Sequence, residues 1–191
     1  LNKYSIKPGI RYEYTTIQAN FQEEQNVDIP SYGIWAPSLN FSRKLANGNM
    51  IKAAYNRRIQ RPSLQFLNPN LQAANPLNIT QGNPNLAPEY TNNYELSYST
   101  FFKGISLNIS TFMRNTEGSI QPVRSVIGQD TILTSYQNIG SEDAYGMSLF
   151  ANVNISNKFS LNGGPDLYYA VLDNKVSDPL YNAKNQGWVL S

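Results

Sequence analysis

The sequence predicts an all-β fold, an antiparallel up-and-down transmembrane β-barrel, on three observations. Segment after segment alternates apolar and polar residues with a period of two, the signature of strands with two different faces. The predicted strands run about ten to thirteen residues, long beside the roughly five to six of soluble sheets and suited to a tilted crossing of a hydrocarbon layer. The connections alternate strictly: long over 19–33, 61–90, 115–141 and 172–184, short at 46–49, 103–104 and 156–158. Short turns on one side and long loops on the other are the pattern of outer-membrane barrels.

The first strand spans roughly Ser5 to Gln18. Ile10, Tyr12 and Tyr14 alternate with Arg11, Glu13 and Thr15, which puts aromatic and charged side chains on opposite faces. Pro8-Gly9 marks a bulge or an edge near its start. The polar run Asn20 to Tyr32 contains Pro30 and reads as a loop. The second strand, about Ile34 to Leu45, sets Trp35, Leu39, Phe41 and Leu45 against Ser38, Asn40, Ser42 and Lys44. Ala46-Asn47-Gly48-Asn49 predicts a tight hairpin, because Asn-Gly supplies the positive φ angles such turns need. In the third strand Ile51, Ala53, Tyr55 and Ile59 face one way and Lys52, Asn56 and Arg58 the other. Pro62 breaks it. The stretch 61–90, dense in Asn, Pro and Gly, then reads as a long loop, and loops of this length are usually functional or disordered.

The fourth strand sets Tyr94, Leu96, Tyr98 and Phe102 against Asn93, Glu95, Ser97 and Ser99. Lys103-Gly104 turns the chain into a fifth, with Ile105, Leu107, Ile109, Thr111 and Met113 on one face and Ser106, Asn108, Ser110 and Arg114 on the other. Within 115–141, Ile120 to Val126 and Thr131 to Gln137 flank Gly128-Gln129-Asp130, which predicts a hairpin extending beyond the wall. The sixth strand alternates most strongly, with Tyr145, Met147, Leu149, Ala151, Val153 and Ile155 against Ser148, Asn152 and Asn154. The seventh, from Phe159, is interrupted by Gly163-Gly164-Pro165. Proline cannot donate to a ladder, so a bulge or local unpairing is expected there. A polar loop leads to a last strand near Trp188. Aromatics near strand ends (Tyr14, Trp35, Tyr98, Phe102, Tyr145, Phe159) suit interfacial girdles.

Composition narrows the chemistry. Of 191 residues, 40% are apolar and only 15% charged, with 13 Tyr, against both intrinsic disorder and a freely soluble surface. Length fits one domain, 1–191. With no Cys and no His, disulfides, thiolate or imidazole metal sites and His-based triads are excluded. A net charge of +2 without a basic stripe gives no reason to expect nucleic acid. No apolar run is long enough for a membrane helix, and negative mean hydropathy is compatible with a barrel, where only alternate residues meet lipid. No catalytic constellation is present, so the chain is not read as an enzyme and no cofactor is expected. Glu23-Glu24 with Asp28 lacks the spacing of a calcium loop. The triplets at Asn40, Asn108 and Asn154 lie inside predicted wall strands, where a glycan has no room.

The ordered series Arg57-Arg58-Ile59-x-Arg61-Pro62, Leu67-Asn68-Pro69, Gly82-Asn83-Pro84-x-Leu86-x-Pro88-Glu89 and Tyr94-Glu95-Leu96-Ser97-Tyr98 resembles the barrel region of TonB-dependent outer-membrane receptors, chiefly those of Bacteroidetes-type bacteria. The likeness continues through Tyr136-Gln137-Asn138-Ile139-Gly140 and Tyr145-Gly146 to Phe159-Ser160-Leu161-Asn162. It implies a barrel of about twenty-two strands, of which about eight are present here. It also implies a bacterial outer-membrane location, lipid as surroundings, and energised uptake of a glycan, peptide or metal chelate. A plug domain, an energy-coupling complex and a surface lipoprotein are the partners it implies for a full-length protein. Neither the plug nor the coupling box lies within this sequence.

Arg57, Arg58 and Arg61 are candidates to bind an anionic ligand at the barrel mouth, since guanidinium pairs well with carboxylate or phosphate. The plainer reading has them paired with Glu89 or Glu95. Lys52, Asn56 and Glu95 are candidates to line a permeation route, against the plainer reading of a hydrogen-bonded inner wall. Two rival functions stand beside transport: a structural or secretion-associated barrel, and a soluble β-sandwich module binding carbohydrate. The chain begins at Leu1 and stops at Ser191 within an apparent strand, so a fragment with two open edges is expected, inviting edge-to-edge pairing.

Overall fold

The computed structural model describes residues 3–17, 29–128, 130–156, 159–174 and 183–191. Most of the predicted loops 19–33 and 172–184, and residues 157–158 of the turn at 156–158, lie outside them. Eleven strands make one sheet: β1 (Tyr4–Thr15), β2 (Tyr32–Lys44), β3 (Met50–Gln60), β4 (Gln72–Asn75), β5 (Asn78–Thr80), β6 (Glu89–Phe102), β7 (Ile105–Ile127), β8 (Thr131–Ser156), β9 (Phe159–Gly163), β10 (Asp166–Asn174) and β11 (Ala183–Leu190). The main path has eight strands, β1-β2-β3-β6-β7-β8-β10-β11, each antiparallel to the next. The all-β up-and-down order expected from the alternation is the observed one.

Register decides which side chains share a face, because residues directly opposite in an antiparallel pair point the same way. One face carries Lys7, Asn40, Ala54 and Glu95 in a single row, with Ser38, Asn56, Asn93 and Arg114 in the next. The other carries Ile6 opposite Phe41, Tyr12 opposite Trp35, Ala53 opposite Leu96, and Ile109 opposite Leu149. That apolar face has no protein cover: Ile10 is 71% exposed and Leu161 66%. Apolar area left open on this scale calls for a non-aqueous neighbour. Its aromatics are paired across strands, with ring centroids 4.8 Å apart for Tyr12–Trp35, 5.0 Å for Tyr55–Tyr94 and 5.2 Å for Tyr169–Trp188.

The ladder also fixes the tilt. Tyr55, Tyr94, Met113, Tyr145, Tyr169 and Trp188 stand opposite one another in one row perpendicular to the strands. From that row the last paired residue before the turn is five residues away in β3 (Met50), eight in β6 (Phe102) and eleven in β8 (Ser156). Each hairpin drops three residues, about 10 Å along a strand for about 10 Å across two strand spacings, so the turns share a level only if the strands tilt by roughly 45°. Membrane barrels have that tilt.

The tight turn holds Asn47 and Gly48 at φ 64° and 80°, as the Asn-Gly pair predicts. At Gly163-Gly164-Pro165 the ladder opens without slipping: Ala151 faces Gly163 and Ser148 faces Asp166, so three residues are spent on each side. A Cβ on Gly164 would collide with the Leu149 carbonyl, and the Leu149 amide donates to the Pro165 carbonyl at 3.1 Å. Of the two outcomes expected there, local unpairing is the one found.

β7 and β8 continue past the wall as the anticipated hairpin. Gly118, at φ 68°, is an extra residue in β7, and Ile139 an extra residue in β8, so two bulges cancel and the register is restored. The stretch 61–90 is more ordered than its Asn-Pro-Gly composition indicates. It contains a one-turn helix α1 (Leu64–Leu67), capped by Ser63, and the β4–β5 hairpin, whose β5 runs parallel to β8 beside Ile132–Thr134. The buried apolar cluster of the described residues lies here rather than in the wall: Ile29, Leu67 and Leu86, with Ile17, Phe66, Ile120 and Tyr136 against them.

Candidate functional site

Two arrangements carry the candidate chemistry, a platform at the loop-bearing end of the sheet and a polar inner wall. The platform is the 61–90 segment clamped onto the β7–β8 extension. Phe66 stacks on Tyr136 with centroids 4.2 Å apart. Gly82 is buried where a Cβ would strike the Asn68 and Phe66 carbonyls, so only glycine fits. Asn83 Nδ2 donates to the Tyr136 carbonyl at 3.0 Å, and Asn83 Oδ1 accepts from the Asn85 amide. Asn138 clasps Ala87 at both its amide and its carbonyl, each at 2.8 Å, and donates to the bulged Gly118 carbonyl at 2.7 Å. Glu89 Oε1 accepts from the Ile120 amide at 2.8 Å. The bulges free backbone groups, and Asn138 and Glu89 take them up.

On the inner wall, Arg61 crosses over β2 to reach β1. Its Nη2 donates to Glu13 at 2.5 Å and its Nε to the Thr15 hydroxyl at 3.0 Å, while Arg11 donates to the other Glu13 oxygen at 2.6 Å. Two guanidinium groups on one carboxylate leave a net positive charge. Arg58 and Asn56 line a hollow of about 440 Å³ together with Arg11, Gly9 and Ser38. The Asn56 carbonyl oxygen is buried there without a hydrogen-bond partner. Lys52 and Glu95 line a second hollow, of about 470 Å³, with Lys7, Asn40, Ser42 and Ser97.

The six candidates therefore divide. Arg58 and Asn56 share a hollow with Arg11, which meets Arg61 at Glu13, and Lys52 sits with Glu95. Arg57 borders the first hollow but has the outward parity of its strand, and its guanidinium lies 4.7 Å above the Tyr90 ring. The ion-pair partner of Arg61 is Glu13, not Glu89 or Glu95. Sequence alone does not mark Arg11 and Glu13 as site residues, because they are some fifty positions from Arg61. The signal available was their shared parity, which puts them on the Arg58 face once strand pairing is known. No group of three or more acidic residues able to hold a metal occurs among the described residues. The inner wall presents polar and cationic side chains.

The sequence matches the outer membrane protein beta-barrel family over residues 1–191. The chain belongs to that family. It is an outer-membrane protein. No curated protein matches it. In solved structures its fold resembles the siderophore receptor PirA from Pseudomonas aeruginosa, at 21% identity over 83% of this chain and 34% of that one, with a TM-score of 0.59. It resembles a mutant of the ferric enterobactin receptor PfeA from the same organism, in complex with enterobactin, at 15% identity over 100% of this chain and 30% of that one, with a TM-score of 0.63. The hemophore receptor HasR of Serratia marcescens, bound to its hemophore and heme, is similar at 11% identity over 98% of this chain and 41% of that one, with a TM-score of 0.51. At such identities the likeness is one of fold. This outer-membrane barrel chain spans about a third of the receptors it matches, the share its eight-strand path takes of a 22-stranded wall.

Proposed function

We propose that this chain is wall and loop of an energised outer-membrane receptor that imports a scarce nutrient, and that the nutrient is an anionic metal chelate. The cationic inner patch carries the reading: Arg11 and Arg61 share a single Glu13, and Arg58 lines a hollow with Arg11. PirA is a siderophore receptor and PfeA binds enterobactin, both compatible with an anionic chelate as ligand. In this reading Arg58 makes the first ionic contact, Arg11 and Arg61 are held in place by Glu13, and the platform keeps the loop from closing the mouth. The wall is passive and non-enzymatic. A plug domain and an energy-coupling complex supply the gate and the work, and a surface lipoprotein docks on the loops.

The test is uptake of a radiolabelled ferric siderophore by cells expressing the full-length protein. Arg58→Gln with Arg61→Gln is expected to lower uptake about tenfold at equal outer-membrane abundance, the loss of roughly one charge-assisted contact. A protonophore should abolish uptake altogether. Uptake indifferent to both treatments would favour a structural or secretion-associated barrel.

A further inference from the structure

Arg57 is at odds with its strand. In β3 the residues of its parity are Ile51, Ala53, Tyr55 and Ile59, all on the apolar outward face. Arg57 lies opposite Asn92, Asn92 opposite Asn115, and Asn115 opposite Asp143, so one polar row runs just loopward of the Tyr55–Tyr94–Met113–Tyr145 row. Tyr55 donates to Asn92 at 3.1 Å and Asn115 to Asp143 at 2.7 Å, which ties that row together. The outer surface changes there from apolar to polar within one step of the pleat. Its loop side is the outer leaflet, because the long connections lie on that side.

Nothing among the described residues neutralises Arg57. Its Nε is buried without a hydrogen-bond partner, and its guanidinium lies over the Tyr90 ring. Tyr90 is two residues further toward the loops than Asn92, so the side chain reaches from that polar row further toward the loops, as long cationic side chains do near an interface. Directly below, a trough of about 460 Å³ opens around the small residues Ala53 and Thr111, walled by Leu39, Phe41, Tyr55 and Met113. A mostly apolar trough, with a guanidinium that lacks a charge partner among the described residues beyond its Tyr55–Tyr94 end, suits the chain and the charge of one lipid.

We propose that this surface binds a single outer-leaflet lipid bearing a phosphorylated headgroup, with an acyl chain along the Ala53–Thr111 trough and a phosphate on Arg57. The phosphate supplies the charge partner that the described residues do not, and the trough supplies the chain selectivity that a lone arginine lacks. The site faces away from the inner wall, so it is independent of what the barrel transports.

The complete outer-membrane protein, extracted in mild detergent, is titrated with a diphosphorylated lipid A-type glycolipid and with its dephosphorylated counterpart, and bound lipid is counted by native mass spectrometry. Wild type is expected to prefer the phosphorylated lipid by about tenfold or more. Arg57→Gln should erase that preference. Ala53→Leu, which fills the trough with a side chain that lipid-facing positions accept, should weaken both lipids. Arg43→Gln, an outward arginine over Tyr4 at the opposite end of the wall, should change neither. Equal binding of the two lipids by wild type would overturn the proposal, as would a preference that survives Arg57→Gln. Displacement of the lipid by inorganic phosphate alone would overturn it too, since the trough would then contribute nothing. The wild-type comparison decides without relying on any variant's folding.

Discussion

Glu89 illustrates how one side chain joins distant parts of this chain. It opens β6, yet its carboxylate serves the Ile120 amide, a donor that the double bulge has removed from the ladder. Glu89→Ala leaves that amide half-buried and unpaired, at a cost of about 1–3 kcal/mol. Glu89→Gln keeps a carbonyl oxygen in place and should cost well under that. Protease susceptibility of the folded protein around residues 61–90 checks the pair: faster cleavage in the alanine variant, near wild-type cleavage in the glutamine one. Gly146 makes a related point on the inner wall, where a Cβ would come within 2.5 Å of both Phe112 and Tyr168. The two rings pack across the glycine, so the Tyr145-Gly146 pair puts one aromatic outward and clears space for two inward.

At the scale of elements, what was legible depended on whether order came from period or from contact. β2, β3, β6, β7 and β8 announce themselves because alternate residues meet different media, and Asn47-Gly48 fixes its own turn. The platform does not. α1, β4 and β5 are too short to carry a period, and their order comes from partners more than fifty residues away, such as Thr131 for Pro76 and Asn138 for Ala87. Read alone, Asn-Pro-Gly density means loop; only Tyr136, Ile120 and the β8 edge make it structure. The candidate residues follow the same division. Parity separates Arg57 from Arg58, whereas the Glu13–Arg61 contact required knowing that Arg61 spans β2. Removing residues 72–80 should uncover the β8 edge that Leu77 and Gln81 now hydrogen-bond. Hydrogen exchange at Ile132 is then expected to speed up markedly, with exchange at wall positions such as Ser110 unchanged.

For the whole molecule, the stabilising surface is turned inside out relative to a water-soluble protein. Among the described residues few apolar side chains of the wall are buried, chiefly Ile34, Ala36 and Ala144, and those of its outward face lie open because hydrocarbon is their solvent. A charge on that face is therefore costly in proportion to depth. Leu149→Arg is expected to destabilise the folded barrel in lipid by about 2–4 kcal/mol, while Ser148→Arg on the inner face costs little. Denaturant unfolding of the full-length protein in bilayers reads both.

All of this requires that neighbouring residues of one strand meet opposite surroundings, and β8 tests it most directly. Nitroxide labels placed singly at Ser148, Leu149, Asn152 and Val153 of the full-length protein in lipid bilayers report collisions with oxygen, which concentrates in lipid, and with a water-soluble nickel complex. The account predicts oxygen-dominated signals at Leu149 and Val153 and nickel-dominated or shielded signals at Ser148 and Asn152. Nickel access at Leu149 and Val153 together with oxygen access at Ser148 and Asn152 would contradict it.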